Sequence, residues 1–199
     1  MLLRAICACT LASSAFADCP TSADRATGIK ATLSDGSVEE YRDLSPGLVE
    51  VIARYADGYT ARNLLGQGIY VVELSDIEDG QIVPTSRITS AYPMSADAMP
   101  IPKPGSEWTV KVAMRDADGF FQEQQSHDWG ALTTATYGDC SYDMIPGALN
   151  YQGDGYSYAE EIHYLPALGL GLLISYDHGD GSPPDTYSYV AIDIMDANQ

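Results

Sequence analysis

The sequence predicts an all-β protein: a single-domain antiparallel meander forming an open barrel or sandwich, with little helix. Turn dipeptides recur at short, regular intervals, and the segments between them alternate apolar and polar residues. No segment sustains a helical period. The chain has 199 residues, 45% of them hydrophobic and 14 of them tyrosine, enough for one buried core without metals or many disulfides.

The elements follow in chain order. Arg4, a mostly apolar run from Ala5 to Ala12 and the small-residue ending Ala15-Phe16-Ala17 read as a secretory signal over residues 1–17, cut before Asp18. The run is too short for a permanent membrane anchor, which needs roughly 20 residues. Asp18 stands before Cys19, where a lipoprotein signal has a small residue, so a soluble periplasmic or secreted protein is expected. Removing the segment takes away Cys7 and Cys9 and leaves Cys19 and Cys140. In an oxidising compartment these two are expected to form one disulfide.

The mature domain, 18–199, opens with a meander over residues 18–92. Asp35-Gly36, Asp57-Gly58 and Asp79-Gly80 recur at intervals of 22 residues, with Ser45-Pro46-Gly47 and Gly66-Gln67-Gly68 between them. Asp tolerates and Gly prefers the positive φ of tight hairpin turns, so strands joined by hairpins are expected throughout. Pro93, Pro100, Pro102 and Pro104 then mark an extended connection over 93–105, with at most a helical turn around Ser95–Met99. A C-terminal strand group, 106–199, carries the remaining pairs Asp118-Gly119, Asp154-Gly155 and Asp180-Gly181.

Alternation assigns faces within that group. Trp108, Val110, Val112 and Met114 oppose Thr109, Lys111 and Arg115. Tyr156, Tyr158, Ile162 and Tyr164 oppose Ser157, Ala159, Glu161 and His163. Leu168, Leu170, Leu172, Ile174 and Tyr176 form one apolar row, and Val190, Ile192 and Ile194 another, opposite Tyr187, Tyr189 and Asp193. An outer-membrane barrel fits less well, since the chain ends on Gln199 and such barrels typically end on an aromatic residue.

Charge bounds the partners. The formal net charge is −18, moving to −19 when Arg4 leaves with the signal. A protein this acidic is repelled by phosphates, which argues against nucleic acid and anionic membrane surfaces.

Few motifs carry chemistry. No His-x-x-x-His, Cys-x-x-Cys or Gly-x-Ser-x-Gly pattern is present. Glu161 and His163 share a strand face, and with Asp177 they are the candidate metal ligands; with His178 they are the candidate acid–base centre of a hydrolase. Asp116-x-Asp118-Gly119 and Asp177-x-x-Asp180-Gly181 resemble calcium loops, but Met114 or Tyr176 stands where an EF-hand needs its first Asp. No cofactor is expected, with calcium the one open alternative. Seven tyrosines fall between Tyr151 and Tyr189. Tyr156, Tyr158, Tyr187 and Tyr189 are the candidate ligand-binding residues, since paired rings on a strand face can stack on a sugar or line a groove.

Around Tyr164-Leu165-Pro166-Ala167-Leu168-Gly169-Leu170-Gly171, with strands on both sides, the chain resembles exported lipoprotein-carrier-like half-barrel proteins and related uncharacterised envelope families. The resemblance covers about 60 residues, Cys140 to Asp196. It implies a curved antiparallel sheet wrapped around an apolar groove and carries over no functional residue. The expected function is a non-catalytic binding or accessory module of the cell envelope, using a sheet face or groove to hold an envelope protein, glycan or lipid. The alternatives are the hydrolase near Glu161, His163 and His178, and a structural or assembly factor without a small ligand.

Overall fold

The computed structural model describes residues 19–196; the expected signal segment, its cleavage site and residues 197–199 lie outside the described residues. Fifteen strands follow one another: β1 (Ile29–Leu33), β2 (Val38–Ser45), β3 (Leu48–Arg54), β4 (Thr60–Gly66), β5 (Tyr70–Glu78), β6 (Gln81–Ile82), β7 (Ile88–Ala91), β8 (Glu107–Arg115), β9 (Phe120–Trp129), β10 (Thr133–Tyr137), β11 (Cys140–Gln152), β12 (Ser157–Leu165), β13 (Leu170–Asp177), β14 (Asp185–Thr186) and β15 (Tyr189–Ile194). The only helical pieces among the described residues are short 3-10 turns at Ser22–Ala26, Pro84–Ser86 and Ala96–Ala98, the last at the predicted place.

All six Asp-Gly pairs lie between consecutive strands, as do the two predicted turns at Gly47 and Gly66–Gly68. Asp79 and Gly80 both take positive φ, 49° and 75°, as a two-residue hairpin turn matched to strand twist requires. Because nearly every connection is short, neighbours in sequence become neighbours in space. The sheet runs β14-β13-β12-β11-β9-β8-β7-β5-β4-β3-β2-β1-β15, with β6 beside β5 and β10 beside β11, and its pairs are antiparallel.

The proline-rich connection contains no strand, as expected, yet it does not divide the sheet. β7 before it pairs with β8 after it, in the register Thr89↔Arg115, and β15 returns to pair with β1. The ladder does not close into a barrel. Its two ends are nevertheless consecutive in the chain. The N–H of Tyr187 donates to Ile174 O beside β14 (2.9 Å), while Ser188 O accepts the N–H of Ser34 beside β1 (2.8 Å). One short segment therefore bridges both edges, and the sheet curls around an interior.

Several strands depart from simple alternation, and three of them correct the predicted faces. In β11 the buried positions are Cys140, Tyr142 and Met144, then Ile145, Leu149 and Tyr151, so the parity reverses between Met144 and Ile145. That reversal lets the first half pair with β10 and the second with β9 and β12. In β13 two residues, Leu173 and Ile174, stand against the step from Ile162 to Glu161. Such a bulge rotates the residues beyond it to the other face. In β15 the register skips Val190, which is 46% exposed, while Tyr189 and Ile192 are buried against β1. The predicted apolar row Val190, Ile192, Ile194 is thereby broken by a bulge that alternation alone could not reveal.

Cys19 and Cys140 form the expected disulfide, with Cα atoms 5.5 Å apart and 121 residues of separation. It ties the start of the described residues to β11. With its sulfur in this bond, Cys19 has no thiol left to carry a thioether-linked lipid. Structural disulfides form in oxidising compartments, so the bridge suits an extracytoplasmic setting.

Candidate functional site

The curled sheet leaves a cavity of about 500 Å³ against its concave face. Strands from β2 to β13 contribute to its wall: Val51 from β3, Val71 and Leu74 from β5, Ile88 from β7, Met114 from β8 and Leu173 from β13 supply apolar surface. The β13 bulge decides part of this lining. Gly171 and Leu173 face the cavity before it and Tyr176 after it, whereas Leu168, Leu170 and Leu172 pack with Ile29, Tyr137 and Met144 in a separate cluster.

Three carboxylates also line the cavity: Glu39 from β2, Glu123 from β9 and Glu160 from β12. Each accepts a hydrogen bond from tyrosine. Tyr41 Oη and Tyr189 Oη donate to Glu39 Oε2, the latter at 3.0 Å. Tyr151 Oη donates to Glu160 Oε2 at 2.7 Å, and Tyr156 Oη to Glu123 Oε2 at 3.0 Å. A relay extends along β9: Tyr92 Oη donates to Gln125 Oε1 (2.8 Å), whose Nε2 donates to Glu123 Oε1 (2.9 Å). Burial raises the pKa of Glu39 and Glu160 above the ordinary glutamate value; the phenol donors oppose this without cancelling it. The same burial pushes the phenols of Tyr41, Tyr151 and Tyr158 well up, so they remain neutral donors.

Aromatic rings form the other polar feature. Tyr158 stacks on Tyr151 with centroids 4.3 Å apart and planes 8° from parallel, and on Tyr176 at 5.4 Å and 29°. Tyr156 adds a fourth ring 6.3 Å from Tyr158. The cross-strand pair Tyr151↔Tyr158 sets the first contact.

Beyond this stack lies His127, 1% exposed. It stacks on Trp108 at 5.3 Å and meets Tyr70 edge-on at 5.1 Å. Neither ring nitrogen has a hydrogen-bond partner among the described residues. Burial lowers its pKa from 6.5 to about 4, so the ring is neutral at physiological pH.

The residues singled out in the sequence fall in three places. Tyr156 and Tyr158 line the cavity. Tyr189 is buried beside it with its hydroxyl on Glu39, and Tyr187 packs half-buried against the Ile29 cluster. Glu161 and His163 border a separate, more open hollow, together with Glu107 and Asp128. There His163 Nδ1 shares a 2.8 Å hydrogen bond with Tyr137 Oη. Burial lowers the His163 pKa while the neighbouring Glu161 opposes the shift. Asp177 stands at the end of β13 and accepts the N–H of Gly179 at 2.9 Å, whereas His178 Nε2 lies 3.1 Å from Asp185. Among the described residues no three His, Cys, Asp or Glu side chains gather as a metal site. In the two Asp-Gly loops weighed for calcium, Asp116 and Asp180 each accept backbone N–H groups of their own turn.

Sequence reasoning missed Glu39, Glu123, Gln125, His127 and Glu160. For β9 the signal was available. The Asp118-Gly119 hairpin sets Met114↔Phe121, Val112↔Glu123, Val110↔Gln125 and Trp108↔His127, so the polar row must share the apolar face of β8. Glu160 likewise has the parity of Tyr158 and Ile162.

No family model matches the chain, and none of the curated proteins does. Among the described residues no helix is long and apolar enough to cross a membrane. Among solved structures the chain is similar to the hypothetical lipoprotein YmcC from Escherichia coli (K12), at 11% sequence identity, with 85% of this chain and 89% of that chain covered and a TM-score of 0.46.

Proposed function

We propose that this protein is an exported, non-catalytic binding module of the cell envelope that holds its ligand in the cavity on the concave face of the sheet. The observation that carries the reading is the cavity itself: about 500 Å³, walled by apolar side chains from eight strands and by the tyrosine stack. That volume lies within the usual range for small-ligand sites, and the combination of an apolar wall with a few placed polar groups is their usual chemistry. The Cys19–Cys140 disulfide supports an extracytoplasmic setting.

A neutral fluorescent probe, N-phenyl-1-naphthylamine, tests the reading. Saturable one-to-one binding is expected for the mature protein, with affinity reduced about tenfold or more in Leu173→Trp, whose indole occupies the cavity. Absence of saturable binding by the wild type, or equal binding by a folded Leu173→Trp variant, would count against the cavity as the site.

A further inference from the structure

The cavity has a charge imbalance that its ligand has to answer. Glu39, Glu123 and Glu160 line it, and no Lys, Arg or His lines it among the described residues. Their hydrogen-bond partners are phenol and amide groups, which donate hydrogen bonds but neutralise no charge. The fold can place a cation beside a buried carboxylate elsewhere. Glu73, which is 7% exposed and does not line the cavity, is paired with both Arg62 and Arg87. Inside the cavity that pairing is missing, and a desolvated carboxylate without a counter-charge is costly.

The aromatic groups add to the same field. Tyr151, Tyr156, Tyr158 and Tyr176 all line the cavity, and the face of each ring carries the negative part of its quadrupole. The stack and two of the acids are joined: Tyr151 holds Glu160 and Tyr156 holds Glu123, with Tyr158 stacked against both rings. Two of the carboxylates and the stacked rings thus meet in one part of a largely apolar wall. Among the described residues no three His, Cys, Asp or Glu side chains gather as metal ligands, and the apolar remainder of the wall calls for an organic body carrying the complementary charge.

We propose that the cavity binds an organic cation, an amine or quaternary ammonium group on an apolar body, with its charge at Glu123 and Glu160 beside the tyrosine stack and its body against Val71, Leu74 and Leu173. The proposal rests on the reading of this cavity as the binding site and names the class of ligand it takes.

Three probes of one shape and different charge test it by calorimetry on the oxidised mature protein: 4-phenylbutylamine, 4-phenylbutan-1-ol and 4-phenylbutyrate. The ammonium ion is expected to bind about tenfold or more tighter than the alcohol, and the carboxylate more weakly than either. In Glu123→Gln/Glu160→Gln, which keeps an acceptor for each tyrosine hydroxyl, the ammonium ion is expected to fall to the affinity of the alcohol. Each single variant, measured with its thermal unfolding, is expected to lose part of the preference while remaining folded. Equal affinity of amine and alcohol, or preference for the carboxylate, would overturn the cation assignment and leave the cavity standing. A preference that survives in the folded variants would also overturn it, since the protein's overall negative charge would then be its source. Binding of none of the probes would remove both readings together.

Discussion

Buried ionisable side chains set two opposing pH dependences in this protein. Glu39 and Glu160 have raised pKa values, so the folded state holds their protons more tightly than the unfolded chain and these groups lower stability as pH rises. His127 acts in the other direction. Its folded value of about 4 lies below the ordinary 6.5, so the unfolded chain binds the proton first on acidification. The stability its neutral ring preserves is present above pH 6.5 and is lost as pH falls toward 4. The size of that loss is about 3 kcal/mol at the conversion of 1.36 kcal/mol per pKa unit. His127→Phe keeps an aromatic ring against Trp108 and Tyr70 and removes the titration. Urea unfolding of both proteins between pH 7.5 and 4 is expected to show wild type losing about 3 kcal/mol relative to the variant, the glutamate contributions cancelling in the difference. Parallel pH profiles would show that His127 is not held neutral by burial.

At the scale of elements, hairpin turns carry the local instruction and close approaches carry the long-range one. Gly36 and Gly68 both have positive φ, 92° and 70°, but differ in surroundings. A Cβ at Gly36 would meet nothing within 4 Å, whereas one at Gly68 would run into the carbonyl oxygen of Gly169, at the start of β13. There Gly171 N–H also donates to Gly68 O at 2.9 Å, fastening the β4–β5 turn to β13. Gly36→Ala is therefore expected to cost about 1 kcal/mol, the backbone penalty alone, and Gly68→Ala about 3 kcal/mol or more. Equal costs in denaturant titrations would mean that the β4–β5 turn does not bear on β13. The turns themselves were legible because Asp-Gly chooses its backbone conformation locally. The bulges at Val190 and at Leu173–Ile174 were not, because each strand's sequence reads as unbroken alternation. An extra residue in a ladder is defined only against the partner strand. Consequently Tyr176 changed sides with respect to the predicted row of Leu170 and Leu172 and joined Gly171 and Leu173 in the cavity wall.

Over the whole molecule, the disulfide and the curl of the sheet act together. Cys19–Cys140 closes a loop of 121 residues, for which chain-entropy estimates give about 4–5 kcal/mol. The oxidised mature protein is expected to show no thiol labelling even in denaturant. Cys19→Ser/Cys140→Ser is expected to be about 2–5 kcal/mol less stable by urea unfolding. Labelling of the non-reduced chain, or unchanged stability in the variant, would contradict this. Composition, Asp-Gly spacing and period-2 alternation were sufficient by themselves to determine an all-β meander with one bridge, since each of those signals acts within a few residues or through simple cysteine arithmetic. They also placed Tyr156 and Tyr158 on a common face. Which acids share that face as a cavity was decided only by tertiary structure. Glu39, Glu123 and Glu160 lie on three separate strands, and parity, which puts Glu123 with the apolar face of β8 and Glu160 with Tyr158, does not by itself bring the three to one interior. They are brought to one interior because antiparallel register aligns their parity and the sheet then curls until a single segment, Tyr187–Ser188, touches both of its edges.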